Sequence, residues 1–263
     1  TAAITVKTVS LSASKTYDGT TSLTNYVTIT TGVGSETLTY SGATANDAHV
    51  ATASKYISGI TLANASDGSG GLASNYVLPT LNNANAPVTI NTKTLTPTIT
   101  NTGVTKVYDG TTSASITPTY SFSGLVSNDT SATLAYTGQV YNNAHVASAT
   151  TVTVSGLSIS SITGTNSSAA SDYSLDSSSK TVSATITTKT LTPTITNTGI
   201  TKVYDGSTTA TFTPTYSFSG LVTGDSAATV TLAQSGTKTY DTKNVGASKT
   251  ITVPGLSLSS ITG

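Results

Sequence analysis

The sequence contains no cysteine, no methionine and no tryptophan, and only 8% of its 263 residues are charged. Without cysteine there is no disulfide and no thiolate nucleophile, and soft-metal sites are removed with them. That absence assigns no compartment, but it suits a chain that crosses a membrane unfolded, where stray thiols cross-link. Lys plus Arg and Asp plus Glu each number 11, so the formal net charge is +0. There is no basic footprint for nucleic acid and no acidic one for cationic substrates. No apolar run approaches the roughly 20 residues of a membrane-spanning helix, so no membrane insertion is expected of this segment. Thr1 opens no signal peptide, and the segment reads as a piece of a longer protein whose targeting signals lie elsewhere.

What the chain does have is Thr, Val and Ile in quantity, together with 13 tyrosines. That β-branched and aromatic content argues against disorder and for strands. Leu95, Pro97 and Ile99 interleave with Thr94, Thr96, Thr98 and Thr100. Ile116, Pro118, Tyr120 and Phe122 alternate with polar residues in the same way, and so do Phe212, Pro214, Tyr216 and Phe218. A period of two places one set of side chains in a core and the other in water. Proline cannot donate to a ladder, so these positions predict edge strands or strand ends. Val152-Thr153-Val154 and Ile251-Thr252-Val253 read as equivalent strands, each followed by a Gly-Leu turn. No helical period is present, and the predicted class is all-β, with sandwich-like modules or, alternatively, β-grasp-like ones.

The chain also repeats itself. Lys15-Thr16-Tyr17-Asp18-Gly19-Thr20-Thr21 returns as Lys106-Val107-Tyr108-Asp109-Gly110-Thr111-Thr112 and as Lys202-Val203-Tyr204-Asp205-Gly206-Ser207-Thr208. The tyrosines lie 91 and 96 positions apart, a spacing that belongs to small domains and not to solenoid coils of about 20 to 50 residues. The copies divide the chain as residues 1–91, 92–187 and 188–263, with no Gly/Ser-rich or Pro-rich spacer at the joints. Short, semi-rigid joints predict an elongated rod of beads, each closing its own apolar interior.

The ends are out of phase with the repeat. Thr1-Ala2-Ala3-Ile4-Thr5-Val6-Lys7 resembles the closing strand of a preceding bead, and the third copy lacks a counterpart of residues 172–186. Two readings follow. Either the third copy is cut by a boundary, or the leading strand of one chain completes the trailing bead of another by β-strand addition.

The repeated Lys-x-Tyr-Asp-Gly segment holds groups capable of acid/base chemistry, yet it reads as structural. Asp-Gly is a turn dipeptide, Tyr buries its ring while its hydroxyl seeks a partner, and Lys lays its stem over an apolar edge. The twelve motif positions are Lys15, Tyr17, Asp18 and Gly19, Lys106, Tyr108, Asp109 and Gly110, and Lys202, Tyr204, Asp205 and Gly206. His49 and His145 occupy equivalent places, but the third copy has Asn244 there. A zinc ligand or general base would not be exchanged for Asn, so a hydrogen bond that holds a turn is expected instead. The aspartates lack the alternating spacing of a calcium loop. An intramolecular Lys–Asn staple would need convergence in a dry core that no motif indicates. Asn64-Ala65-Ser66, Asn128-Asp129-Thr130 and Asn166-Ser167-Ser168 fit the glycosylation sequon, a frequent chance match in a Ser/Thr-rich chain. No catalytic residue, cofactor or metal is expected.

The ordered set of Tyr-Asp-Gly-Thr-Thr, the turn Thr223-Gly224-Asp225, Lys243-Asn244-Val245-Gly246, Lys249-Thr250-Ile251-Thr252-Val253 and Asn75-Tyr76-Val77-Leu78 resembles the YDG repeat. That module occurs in very large bacterial surface and secreted proteins similar to filamentous haemagglutinin, exported by two-partner secretion. The resemblance covers nearly the whole chain in three copies. It implies an extracellular stalk of an adhesin, supporting adhesion or biofilm, with no catalytic residues to carry over. Its partners would be neighbouring repeats, like chains laterally, or host or matrix glycans and proteins. Direct binding of carbohydrate or a host protein is the alternative function, and a self-assembling fibre subunit joined by strand addition is a second.

Overall fold

The computed structural model describes residues 1–262; Gly263, the last residue of the third copy, lies outside them. The chain is all-β, and among the described residues the only helical pieces are single 3₁₀ turns at Ala73–Asn75, Ala170–Asp172 and Ala227–Thr229. Among the described residues no helix is long and apolar enough to cross a membrane.

Two compact units are present. The first comprises Thr1–Thr102, Ser115–Val140 and Val152–Val182; the second comprises Gly103–Ala114, Tyr141–Thr151 and Ser183–Gly263. In the first unit the strand Ser10–Thr16 alternates strictly, with Leu11, Ala13 and Lys15 inward and Ser and Thr outward. It pairs antiparallel with Val27–Thr30 and parallel with Val88–Asn91, where Ala13 faces Val88 and Thr16 faces Asn91. Lys7–Thr8 runs parallel to Tyr76–Val77, and Thr39–Ala45 forms a bulged antiparallel pair with Ile57–Ala63. The second copy repeats this plan in the same unit. Lys93–Ile99 pairs antiparallel with Tyr120–Ser123 and parallel with Tyr173–Leu175, and Asp129–Ala135 pairs with Ser158–Gly164.

The expectation that each copy closes its own apolar interior is corrected here. The core of the first unit joins Val9, Leu11, Tyr17, Leu23, Ile57 and Ile90 of the first copy to Leu95, Val126 and Tyr173 of the second. The reason is compositional. Strands of two to nine residues with Ser or Thr at alternate positions leave few large apolar groups per copy, and a small domain has little surface to bury. Neighbouring copies therefore share the cover.

The proline expectation holds locally, near a strand end. Lys93–Ile99 is the middle strand of its three-stranded sheet, yet it contains Pro97, which is almost fully buried. Pro97 lies opposite Phe122 in the antiparallel pair, while the parallel partner reaches only as far as Leu95. At Pro97 the strand is already an edge on that side, so no ladder bond is lost. Pro118 and Pro214 lie outside strands altogether, since the ladders begin at Tyr120 and Tyr216.

In the second unit Val104–Val107 pairs parallel with Ala184, Thr185, Ile186 and Thr187 in the same register as the first copy. Thr192–Ile195 pairs antiparallel with Tyr216–Ser219, Val230–Gln234 with Leu256–Ile261, and Thr239–Tyr240 with Ile251–Thr252.

Candidate functional site

The repeated Lys-x-Tyr-Asp-Gly segments fold into one turn three times. Lys15 is at an inward position of its strand, so its amine arrives beneath the turn that follows. Lys15 Nζ donates to Asp18 Oδ1 at 2.6 Å, to Thr20 O at 2.7 Å and to Ser22 O at 2.9 Å. The same Asp18 oxygen accepts from the Thr20 amide and hydroxyl, both at 2.9 Å. Lys106 repeats the set with Asp109 at 2.7 Å, Thr111 O at 2.8 Å and Ser113 O at 3.0 Å. Lys202 does so with Asp205 at 2.7 Å and with Ser207 O and Thr209 O, both at 3.0 Å. Gly19, Gly110 and Gly206 take φ of 79°, 79° and 76°, left-handed values open to glycine at little cost.

The lysine departs from expectation. A snorkelling lysine keeps its head in water, but the Lys15 side chain is 0% exposed. A buried ammonium is tolerable only when its donors are used, and here the turn carbonyls and the Asp use them. Burial pushes the Asp18 carboxyl up, but hydrogen bonds from Lys15 and Thr20 outweigh it and leave the group below the ordinary range. The Lys106 and Lys202 hydrogen bonds hold Asp109 and Asp205 at about 2.

Tyr17 and His49 lead to contacts that the sequence did not disclose. Tyr17 is 1% exposed; its hydroxyl meets Ser168 Oγ at 2.5 Å, and its ring stands edge-on to Tyr173 with centroids 5.6 Å apart. The Tyr17 ring stacks with His49, and Tyr108 stacks with His145 in the second unit. His49 Nδ1 lies 2.7 Å from Asp172 Oδ2, and the Val50 amide donates to Asp172 Oδ1 at 2.7 Å. The Ala169 amide donates to Asp172 Oδ2 at 2.8 Å. The histidine thus binds one copy to the next through a carboxylate that is 0% exposed. His145 shows only the local half of this arrangement, its amide donating to Asn143 Oδ1 at 2.8 Å.

A second Tyr–carboxylate contact recurs. Tyr173 donates its hydroxyl to Asp129 Oδ2 at 2.6 Å and accepts from the Val126 amide at 3.0 Å. In the first copy Tyr76 donates to Glu36 Oε2 at 2.6 Å. Burial, and then the Asp129 hydrogen bond, push the Tyr173 phenol far above its ordinary 10.0. The signal was present as the Asn75-Tyr76 and Asp172-Tyr173 pairs, but their partners lie 40 and 44 residues away.

In the second unit, Tyr204 is 58% exposed and Val203 is 89% exposed. They flank a cleft of about 550 Å³ lined by Lys202, Tyr204, Tyr240, Asn244, Val245 and Lys249 among others. Among the described residues no group of three or more His, Asp or Glu side chains is placed to hold a metal ion. The acids of the motif face their own lysines and turn amides, so the arrangement holds backbone in place and offers no free acid/base pair.

Among known families, the YDG domain matches residues 91–181 and 187–263. No curated protein matches the chain, and no solved structure does.

Proposed function

The chain belongs to the YDG domain family, and we propose that it is the stalk of a large bacterial extracellular adhesin. Its copies, residues 1–91, 92–187 and 188–263, are strung end to end to space a binding region from the cell surface. The carrying observation is the threefold Lys–Asp turn, in which the groups best suited to chemistry are spent on fixing the chain. A shared core supports the same reading. Tyr17 and His49 of one copy are covered by Ser168, Asp172 and Tyr173 of the next, so adjacent copies are coupled and a pull on one is felt by the other. A neutral, Thr-rich exterior stays hydrated without attracting counter-charged partners. The reading includes no catalytic role, and export by two-partner secretion and a part in biofilm belong to it.

Small-angle scattering of the purified chain tests it. The expected profile is that of an extended particle with a maximum dimension well beyond that of a 263-residue globule, and a compact profile overturns the reading. A glycan array probed with the same chain is expected to stay blank. Saturable binding there would move the function to direct carbohydrate recognition.

A further inference from the structure

The Lys–Asp turn spends its hydrogen bonds on its own copy, while its glycine lies against the copy that follows. A Cβ at Gly19 would stand 3.3 Å from Val126 Cγ2 of the second copy, and one at Gly110 would stand 3.3 Å from Val222 Cγ2 of the third. Val126 and Val222 are 8% and 9% exposed. The first contact lies within one compact unit and the second within the other. Both glycines have a φ of 79°, so the two turns present the same backbone to the same side chain.

The receiving segment is as regular as the turn. Val126 O accepts from the Asp129 amide and Val222 O from the Asp225 amide, both at 3.1 Å, which closes the same four-residue turn in each copy. Two residues ahead of the valine, Gly124 and Gly220 take φ of 96° and 98°. A Cβ at either would strike the carbonyl of the neighbouring segment, at Thr94 or Thr190, so glycine lets the backbones close up and fixes where the valine stands. A β-branched side chain is stiff at χ1, and valine therefore offers its Cγ2 in a set place. An added Cβ at 3.3 Å is closer than the best separation of two carbon atoms. The motif glycine is thus required twice, for its φ and for the approach of the next copy.

We infer that the Asp-Gly turn of each copy is a docking knob, and that its seat is the Val-x-x-Asp turn of the copy that follows. The partner of the Lys-x-Tyr-Asp-Gly motif is then another module of its own kind, recognised by packing of backbone on methyl groups and not by charge. The lysine and aspartate bond within their own turn and so stiffen the knob that the next copy receives. The inference rests on the stalk reading, whose coupled copies it joins through named residues, and the two fail separately. An extended particle in which the substitutions below act independently overturns the docking alone, and a compact particle in which they are coupled overturns the stalk alone.

Double-mutant cycles in the full chain, read by urea denaturation, test the docking. The rise in the unfolding constant that Gly110→Ala causes should shrink roughly fivefold when Val222→Ala is also present, since the methyl groups met by the new Cβ are gone. Val126→Ala should relieve Gly19→Ala in part, because Asn166 still crowds that site, and should leave Gly110→Ala unrelieved. The chain has no native thiol, so a disulfide gives a second readout that stability does not enter. A Cβ at residue 110 would lie 3.9 Å from Val222 Cβ, within the span of a disulfide. Under oxidised glutathione Gly110→Cys/Val222→Cys should close within one chain, and Gly110→Cys/Thr223→Cys should close far less. Losses that simply add at both joints, or a pair at 110 and 223 that closes as readily as the pair at 110 and 222, overturn the inference.

Discussion

His49 Nδ1 and Asp172 Oδ2 lie 2.7 Å apart across 123 residues of sequence, joining the first copy to the second. Asp172 also accepts from the Val50 and Ala169 amides, so its removal strands two backbone donors and an imidazole at once. Breaking a buried pair of this kind costs about 3–5 kcal/mol. His49 is 30% exposed at its side chain, which places the expected cost of Asp172→Ala at about 3 kcal/mol. Urea denaturation should show a loss of unfolding free energy of that size, read as a lower midpoint at unchanged slope. His49→Asn, the residue type of the third copy at this place, should cost clearly less. An Asp172→Ala protein as stable as the parent would refute the role assigned to the pair.

The three lysines of the turn should differ in worth although their partners are alike. Their side-chain exposures are 0% for Lys15, 17% for Lys106 and 24% for Lys202. Lys15→Met removes a buried donor from two carbonyls and a half-exposed carboxylate, an expected loss of about 2–3 kcal/mol. Lys202→Met acts in a more open turn, whose Asp205 partner is 57% exposed, so solvent screening leaves its ion pair worth little. Denaturation midpoints of the single variants should fall in the order Lys15, Lys106, Lys202, and any other order contradicts the burial argument.

The glycines of the same turn make a sharper comparison. Alanine at a φ near 80° costs about 1–2 kcal/mol wherever it is placed. At Gly206 a new Cβ meets nothing within 4 Å, whereas at Gly19 it comes within 3.0 Å of Asn166 and 3.3 Å of Val126. Gly206→Ala is therefore expected to show backbone strain alone. Gly19→Ala adds crowding from the neighbouring copy, and thermal melts should rank it the more damaging.

These contacts also show where the sequence stops informing. The alternation of Leu11, Ala13 and Lys15, and of Leu95, Pro97 and Ile99, is local and marks the inward faces directly. The Asp-Gly turn is local too, and its repetition made it visible. The Lys15 amine beneath that turn was legible in type but not in burial, because a lysine stem serves an apolar edge equally well with its head in water. The partnership of His49 with Asp172, and of Tyr173 with Asp129, joins segments 123 and 44 residues apart through tertiary packing, so no spacing along the chain betrays them. The same holds for Pro97, whose place in a middle strand is tolerated only because the Tyr173–Leu175 strand ends short of it.

Acid should weaken the second unit through the motif aspartates. Asp109 and Asp205 sit at about 2 against an ordinary 3.8, chiefly because of the Lys106 and Lys202 hydrogen bonds. A carboxyl lowered by folding stabilises the native state above its unfolded value, and that contribution is lost as the pH falls through the folded one. The thermal midpoint should therefore drop between about pH 3.8 and pH 2. In the double variant Asp109→Asn/Asp205→Asn this part of the dependence should disappear. A parent protein with a flat profile over that interval would show that the turns contribute nothing.

Alkali should act through buried tyrosines, among them Tyr17 and Tyr173 of the first unit. Burial pushes the Tyr17 and Tyr173 phenols above the ordinary 10.0, against the Ser168 hydrogen bond for Tyr17 and with the Asp129 carboxylate adding to the rise for Tyr173. The unfolded chain ionises these tyrosines near 10.0 while the native chain keeps them neutral, so unfolding releases protons once the pH exceeds that value. Stability that is intact below about pH 10 is then lost progressively as the pH climbs toward the raised folded values. Denaturation followed from pH 9 upward should show a steepening decline, with phenolate absorbance appearing together with unfolding for the buried pair. Tyr173→Phe removes one proton from the linkage, so its decline above pH 10 should be shallower even though the variant starts less stable for want of the Asp129 hydrogen bond. A Tyr173→Phe profile parallel to the parent's would mean that the phenol already titrates in the folded state and that the Tyr173–Asp129 contact is open to water.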